Sequence, residues 1–159
     1  MNLYVFSRVL HVLAVILWIG GVAMVTTVIL PAIKHSGDTE KGLAFFHAIE
    51  RRFKPIAQAT TLITGATGFY MLYLVDGWWM FTKLQYWWVH AMVCVWAIFT
   101  VLLFVLEPLV IEKQLNEGAK KDPDTVVQKM LWLHWVLLVL SLITIVGTVA
   151  GAHGWFLIR

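Results

Sequence analysis

"RVLHVLAVILWIGG", residues 8–21, begins at Arg8 and opens an apolar run that holds one further ionisable side chain, His11. The run continues to about residue 30, longer than the ~20 residues that cross a ~30 Å hydrocarbon core. Its length exceeds the apolar region of a signal peptide and no small-x-small cleavage site ends it, so it reads as a retained helix. Three more apolar runs follow, giving spans at about residues 4–30, 56–75, 84–106 and 130–152. Backbone polar groups in lipid must pair within their own segment, so each run is expected to be helical. The expected fold is all-α, an integral membrane four-helix bundle forming a single transmembrane domain over residues 1–159. Composition agrees: 60% of residues are hydrophobic, 13% are charged and the mean hydropathy is +0.81, which excludes an ordinary soluble domain.

The charges set the orientation. With four spans, both termini share one side with the short loop at residues 76–83, and that side holds Arg8, Lys83 and Arg159. The other side holds Lys34, Lys41, Arg51, Arg52, Lys54, Lys113, Lys120, Lys121 and Lys129. Nine against three puts the long loops in the cytoplasm and both termini outside. The basic loops are therefore a topology signal and not a nucleic-acid site. Cys94, the single cysteine, lies inside the third run, so no intrachain disulfide is expected.

Helix one is expected to end near Pro31. A polar connector, "KHSGDTEKG", leads into "LAFFHAIERRFKP", where Leu43, Phe46, His47, Ile49 and Phe53 suggest a short amphipathic helix before Pro55. That helix either lies on the membrane surface or extends helix two. Thr60, Thr61, Thr64, Gly65, Thr67 and Gly68 are small enough to let helix two approach its neighbours. Trp78, Trp79, Trp87 and Trp88 are expected in an outer aromatic belt. Helix three is expected to run past Pro108 into "LVIEKQLNEG", and Asp122 or Asp124 to cap helix four. Gly147 and Gly151 have the spacing of a helix-packing motif.

Six histidines carry the functional reading. His11, His90 and His134 sit within apolar spans and His153 near the outer end of helix four, whereas His35 reads as a solvated loop residue. Ionisable groups at such depth are costly and face an interior, a cavity or a ligand. A single buried histidine is as readily a structural hydrogen bonder; several in so short a chain point to a ligand. His11 and His90 begin their spans on the same side, and at ~1.5 Å per residue they differ in depth by only a few ångström. In an up-down bundle helices one and three are diagonal neighbours, so two imidazoles at one level would face each other, as a haem with two axial histidines requires. Zinc would want a third or fourth ligand at that level, where only His153 is available. His134 lies about 28 Å along helix four from His153, so it would serve a second, inner haem, with His47 its best-placed partner. Arg8 and Lys83 are candidates to pair with propionates or simply to snorkel; Trp18 and Trp87 line the outer pocket or face lipid. The absence of a C-x-x-C-H motif makes the expected cofactor haem b, two per chain, one for each histidine level.

"RVLHVLAVILWIGG", "VILPAIKH", "ERRFKP" and "WWVHAMV" together resemble the copper resistance protein D-like superfamily of small membrane proteins. More distantly, the chain is similar to the bacterial membrane protoporphyrinogen oxidase family that carries a haem b. The resemblance covers most of helices one to three and implies a bacterial inner membrane protein with a haem-binding histidine at His11. Members of the oxidase family have a lysine two residues after a helix-three histidine; Met92 stands at that position here, and the histidine in helix four favours an electron carrier. The expectation is a b-type cytochrome passing electrons across or into the membrane, with membrane lipid and a quinone or soluble cytochrome as partners, and with a homo-oligomer left open. The alternatives are a haem-dependent oxidoreductase of a porphyrinogen or quinol and, third, a copper transport or resistance protein. For copper, Met24, Met71, Met80, Met92 and Met130 are dispersed, with no paired thioether spacing.

Overall fold

The structure is a computed structural model that describes residues 2–111, 117–118 and 121–155. Lys113, Lys120 and Arg159 of the charge pattern, and the expected course of helix three through residues 112–116, lie outside the described residues. The fold is all-α: 92% of the described residues are helical and none of them lies in a strand. Helix α1 runs from Leu3 to His35, α2 from Thr39 to Leu74, α3 from Trp87 to Val101 with a π-helical continuation Leu102–Ile111, and α4 from Pro123 to Ala152. Short 3-10 turns, Gly77–Thr82 and Leu84–Tyr86, join α2 to α3. Three of the helical stretches, Leu3–His35, Leu84–Leu109 and Pro123–Ala152, are long and apolar enough to cross a membrane.

Polar side chains start the helices. Asn2 accepts from the Tyr4 amide, Asp38 from Lys41 and Asp122 from Thr125, each at 3.1 Å, so the cap of α4 is Asp122. Neither Pro31 nor Pro55 behaves as a terminator. Helix α1 passes Pro31 through a π turn, Val25–Ile29, and ends four residues later at His35. Proline offers no amide to the preceding turn; the wider π turn absorbs that defect, and the Thr26 and Thr27 hydroxyls bond the Val22 and Ala23 carbonyls beside it. Pro55 likewise sits inside α2. The amphipathic segment at residues 43–54 is thus no separate helix: it is the first third of α2, running on without a break into the threonine-rich stretch.

Chain neighbours pack antiparallel, and α4 returns beside α1. Gly21 of α1 meets Phe53 of α2, and His11 meets Gly68 further along the same pair. Lys54 of α2 meets Glu107 of α3, Trp87 of α3 meets Gly147 of α4, and Lys34 of α1 hydrogen-bonds Gln128 of α4 at 2.8 Å. One apolar cluster joins Leu30 and Ile33, Phe46, and Val127 and Met130; a second joins Trp18 and Val22, Phe99, and Leu137 and Leu138.

Apolar stripes gain little from leaving lipid, so helix association in a membrane rests on close packing. Glycines provide it. A Cβ on Gly65 would lie 2.5 Å from the Trp96 ring and one on Gly151 2.5 Å from the Trp88 ring; Gly21 and Gly147 are overlain in the same way by Phe53 and Trp87. Trp87 and Trp88 are therefore packed into the α3–α4 contact, while Trp78 and Trp79 are exposed.

Gly65→Ala should destabilise by ~1–3 kcal/mol in a detergent melt, because Trp96 is held by its Nε1 hydrogen bond to the Thr61 carbonyl, 3.0 Å, and cannot swing away. Gly20→Ala, with nothing within 4 Å, should be neutral or stabilising by up to ~1 kcal/mol. Equal effects at the two positions would show that the ring contact at Gly65 does not constrain the packing.

Candidate functional site

The histidines divide by which ring nitrogen is engaged. His11 turns towards α2: its Nδ1 lies 3.0 Å from the Thr64 carbonyl and 3.0 Å from the Thr67 hydroxyl. Thr67 donates its own hydrogen to the Ile63 carbonyl at 2.6 Å, and a carbonyl only accepts, so the proton sits on Nδ1 of His11. Nε2 is then a free lone pair in the neutral ring. His134 repeats the pattern, donating from Nδ1 to the Met130 carbonyl at 2.8 Å from a half-buried position on the core-facing stripe between Met130 and Leu137.

His90 is placed differently. Its Nε2 donates to the Phe81 carbonyl at 3.1 Å, with the ring edge-on to Phe81 at 5.4 Å between centroids. It fastens α3 to the 3-10 connector, and its bonds do not bring it to His11. What crosses the interior between α1 and α3 is instead Trp18 meeting Phe99 edge to face at 4.8 Å. Trp18 is thus buried and faces neither lipid nor solvent. His47 is half-buried and its Nδ1 pairs with Glu50 at 3.2 Å. His153 is exposed at the end of α4, bonded to the Val149 carbonyl at 2.7 Å, so it does not converge with the outer histidines. His35 is exposed as expected, but in the last turn of α1, where it bonds the Pro31 carbonyl. Arg8 is exposed, and Lys83 lies over the Trp79 ring at 5.2 Å.

A haem ligand coordinates through one ring nitrogen while the other is held by a carbonyl or carboxylate, which fixes tautomer and orientation. His11 and His134 fit that requirement as they stand. His47 offers Nε2 with Glu50 behind it. His90 fits only if it gives up the Phe81 carbonyl. Among the described residues no three His, Cys, Asp or Glu side chains converge as a cage for a metal ion, and Cys94 is exposed.

A second set of groups escaped the reading of the sequence. Where the first half of α2 meets the π-helical continuation of α3, Lys54 and Glu107 form a largely buried ion pair at 2.7 Å, and the Oε2 atom of Glu107 is buried with no hydrogen-bond partner. Next to it Gln58 donates to the Leu103 carbonyl of the π-helical stretch at 3.3 Å. Three more buried polar atoms have no partner: Nε1 of Trp18 and the hydroxyls of Thr61 and Thr64. The available signal for Glu107 was a carboxylate set in the apolar run "LLFVLEPLV".

Burial pushes the Glu50 carboxyl above the ordinary carboxylate range; the hydrogen bond and charge of His47 oppose the shift, Glu107 adds to it and Lys54 opposes it. A carboxyl raised in the folded state contributes stability that is present at pH below its unfolded value and lost as pH rises through the raised one. Glu50→Gln should therefore flatten part of the fall in melting temperature as pH rises above the ordinary carboxylate range and leave the variant the more stable at the upper end. Identical pH profiles for the two proteins would remove burial at Glu50 from the account. Compared with known proteins, the chain matches no family model, no curated protein and no solved structure.

Proposed function

We propose that the chain is a bacterial inner-membrane b-type cytochrome in which all four helices cross the bilayer as a bundle, both termini are periplasmic, and haem is held at two levels. The observation that carries this reading is the shared state of His11 and His134: each donates from Nδ1 to a carbonyl and keeps Nε2 as a lone pair on an interior face. The Lys34–Gln128 bond sets the register of α1 against α4. From it, His11 lies 23 residues and His134 six residues towards the outer side, so the two levels are separated by about 25 Å. Each level therefore takes its own haem. Haem bound there would supply one-electron transfer, and the protein's part is to orient the ligand, exclude water and set the potential.

At the inner level His47 is the companion of His134. Phe46 and Met130 share a cluster and α2 and α4 run in the same direction, so the two histidines lie within about one turn of each other in depth. At the outer level His90 is the companion of His11, and taking up that role requires it to leave the Phe81 carbonyl. A quinone or soluble cytochrome is the exchange partner this reading implies.

Purified in detergent after expression with ample haem supply, the protein should give a b-type pyridine haemochrome spectrum, with close to two haems per chain expected from the two histidine levels. His11→Ala should remove one centre and His134→Ala the other; a colourless protein overturns the reading, and a spectrum unchanged by His134→Ala reduces it to the outer centre. Orientation is tested separately. In a Cys94→Ala background, cysteine at position 37 should react with a membrane-impermeant thiol reagent only after the inner face is opened, and labelling of intact cells would invert the topology.

A further inference from the structure

Helix α2 carries a polar residue at every third or fourth position from its inner part outward: Glu50, Lys54, Gln58, Thr61, Thr64 and Thr67. On a helix that spacing is one face. The face begins at the Lys54–Glu107 pair, whose Glu107 Oε2 is buried and unpartnered, and passes Gln58 at the π-helical carbonyl of Leu103. In its middle stand two hydroxyls that behave unlike the rest. Eight other helical hydroxyls among the described residues, on Thr26, Thr27, Thr60, Thr67, Thr100, Ser141, Thr144 and Thr148, donate to the carbonyl four residues back. That local bond is the default for a hydroxyl in an apolar helix. Thr61 and Thr64 forgo it although their residues are 0% and 6% exposed, and Trp18, 4% exposed, likewise leaves Nε1–H unbonded. A buried polar atom without a partner costs ~1–3 kcal/mol, so three in the interior, one on α1 and two on α2, call for an occupant with hydrogens to exchange.

We propose that this face of α2 is a proton-conducting path from the inner surface into and across the interior, with water seated on the Trp18, Thr61 and Thr64 groups. Glu107 takes a proton from inner water onto its carboxylate and passes it to the first bound water, becoming an anion opposite the Lys54 ammonium again. Each hydroxyl along the path accepts one proton and releases its own, so nothing is oxidised or reduced and one proton leaves for each that enters. Lys54 to Thr61 is seven residues, about 10 Å along the helix, and Thr61 to Thr64 about 4.5 Å, gaps that one or two waters bridge. Ser7, buried one turn outward of His11, continues the polar face towards the outer side. The path does not rest on the haem reading, since none of its groups is a proposed ligand: His11 flanks it with Nδ1 already committed to α2.

The test is proton flux into liposomes containing the whole protein and an internal pH dye, driven by a potassium diffusion potential. Wild-type protein should conduct protons above protein-free vesicles. Glu107→Gln and the pair Thr61→Val with Thr64→Val should each lower the conductance about tenfold or more, as loss of one transfer step would. Thr61→Ser with Thr64→Ser should retain it, because the hydroxyls remain. Thr60→Val, which removes a hydroxyl already spent on its own backbone, should conduct like wild type. Melting curves in the same lipid show that each variant is folded, and the valine pair should melt no lower than wild type. Wild-type flux at the protein-free level, or undiminished flux in the folded valine pair, overturns the proposal whatever the haem content proves to be.

Discussion

Everything in this structure depends on aromatic rings seated directly against glycines. Gly21 beneath Phe53 fixes α1 on α2, Gly65 beneath Trp96 fixes α2 on α3, and Gly147 and Gly151 beneath Trp87 and Trp88 fix α3 on α4. In lipid, where apolar side chains are as comfortable outside a helix contact as within it, such interlocking is what chooses one rotation of each helix over another. Rotation in turn decides which side chains are sheltered. Because Gly65 must face Trp96, Thr61 and Thr64 on the same face of α2 are carried inward, and His11 is brought against Gly68 and the Thr64 carbonyl.

Polar groups so enclosed are then sorted by whether they find partners. His11, His90 and Trp96 each tie one segment to another through a carbonyl that a tidy helix would have used internally. Carbonyls become available where the helices depart from α geometry: Leu103 in the π-helical part of α3, Phe81 in the 3-10 connector. Irregular backbone at such depth is tolerated when something polar answers it. The π-helical turns therefore matter less as defects than as places where side chains of a neighbouring helix gain a hold.

Much of the fold was legible because it follows from hydropathy and spacing. The apolar runs, the Asp122 cap, the small-residue face of α2 and the depth of His11 and His134 are all properties of a helix read alone. The prolines were misjudged for a physical reason: in water a proline ends a helix, while in an apolar setting the alternative of open backbone is worse, so the helix bends around it. Trp87 and Trp88 were assigned to the outer belt because tryptophan is common at interfaces, whereas the glycines that claim them lie some sixty residues further along the chain. His90 shows the same limit. Its level was readable, but its direction depended on a connector whose geometry no periodicity reveals, and the Lys54–Glu107 pair needed the register of two helices to be known together.

The tryptophans left outside these contacts make a ruler. On α4, Trp132 and Trp135 are exposed at the inner end and Trp155 just beyond the outer one, and the 20 residues from Trp132 to Ala152 measure about 30 Å, the thickness of a hydrocarbon core. Phe46 and Met130 fix α2 beside α4 at that inner end, which puts Lys54 six residues, or about 9 Å, on the core side of Trp132. A bilayer set by those tryptophans would hold the Lys54–Glu107 pair about 9 Å inside its hydrocarbon edge, where the two charges must satisfy each other. Shorter lipids would bring water nearer to the pair, and longer ones would set it deeper. The length of the surrounding lipid tails is thus a physical setting for the hydration of that pair, fixed by where the chain has placed its tryptophans.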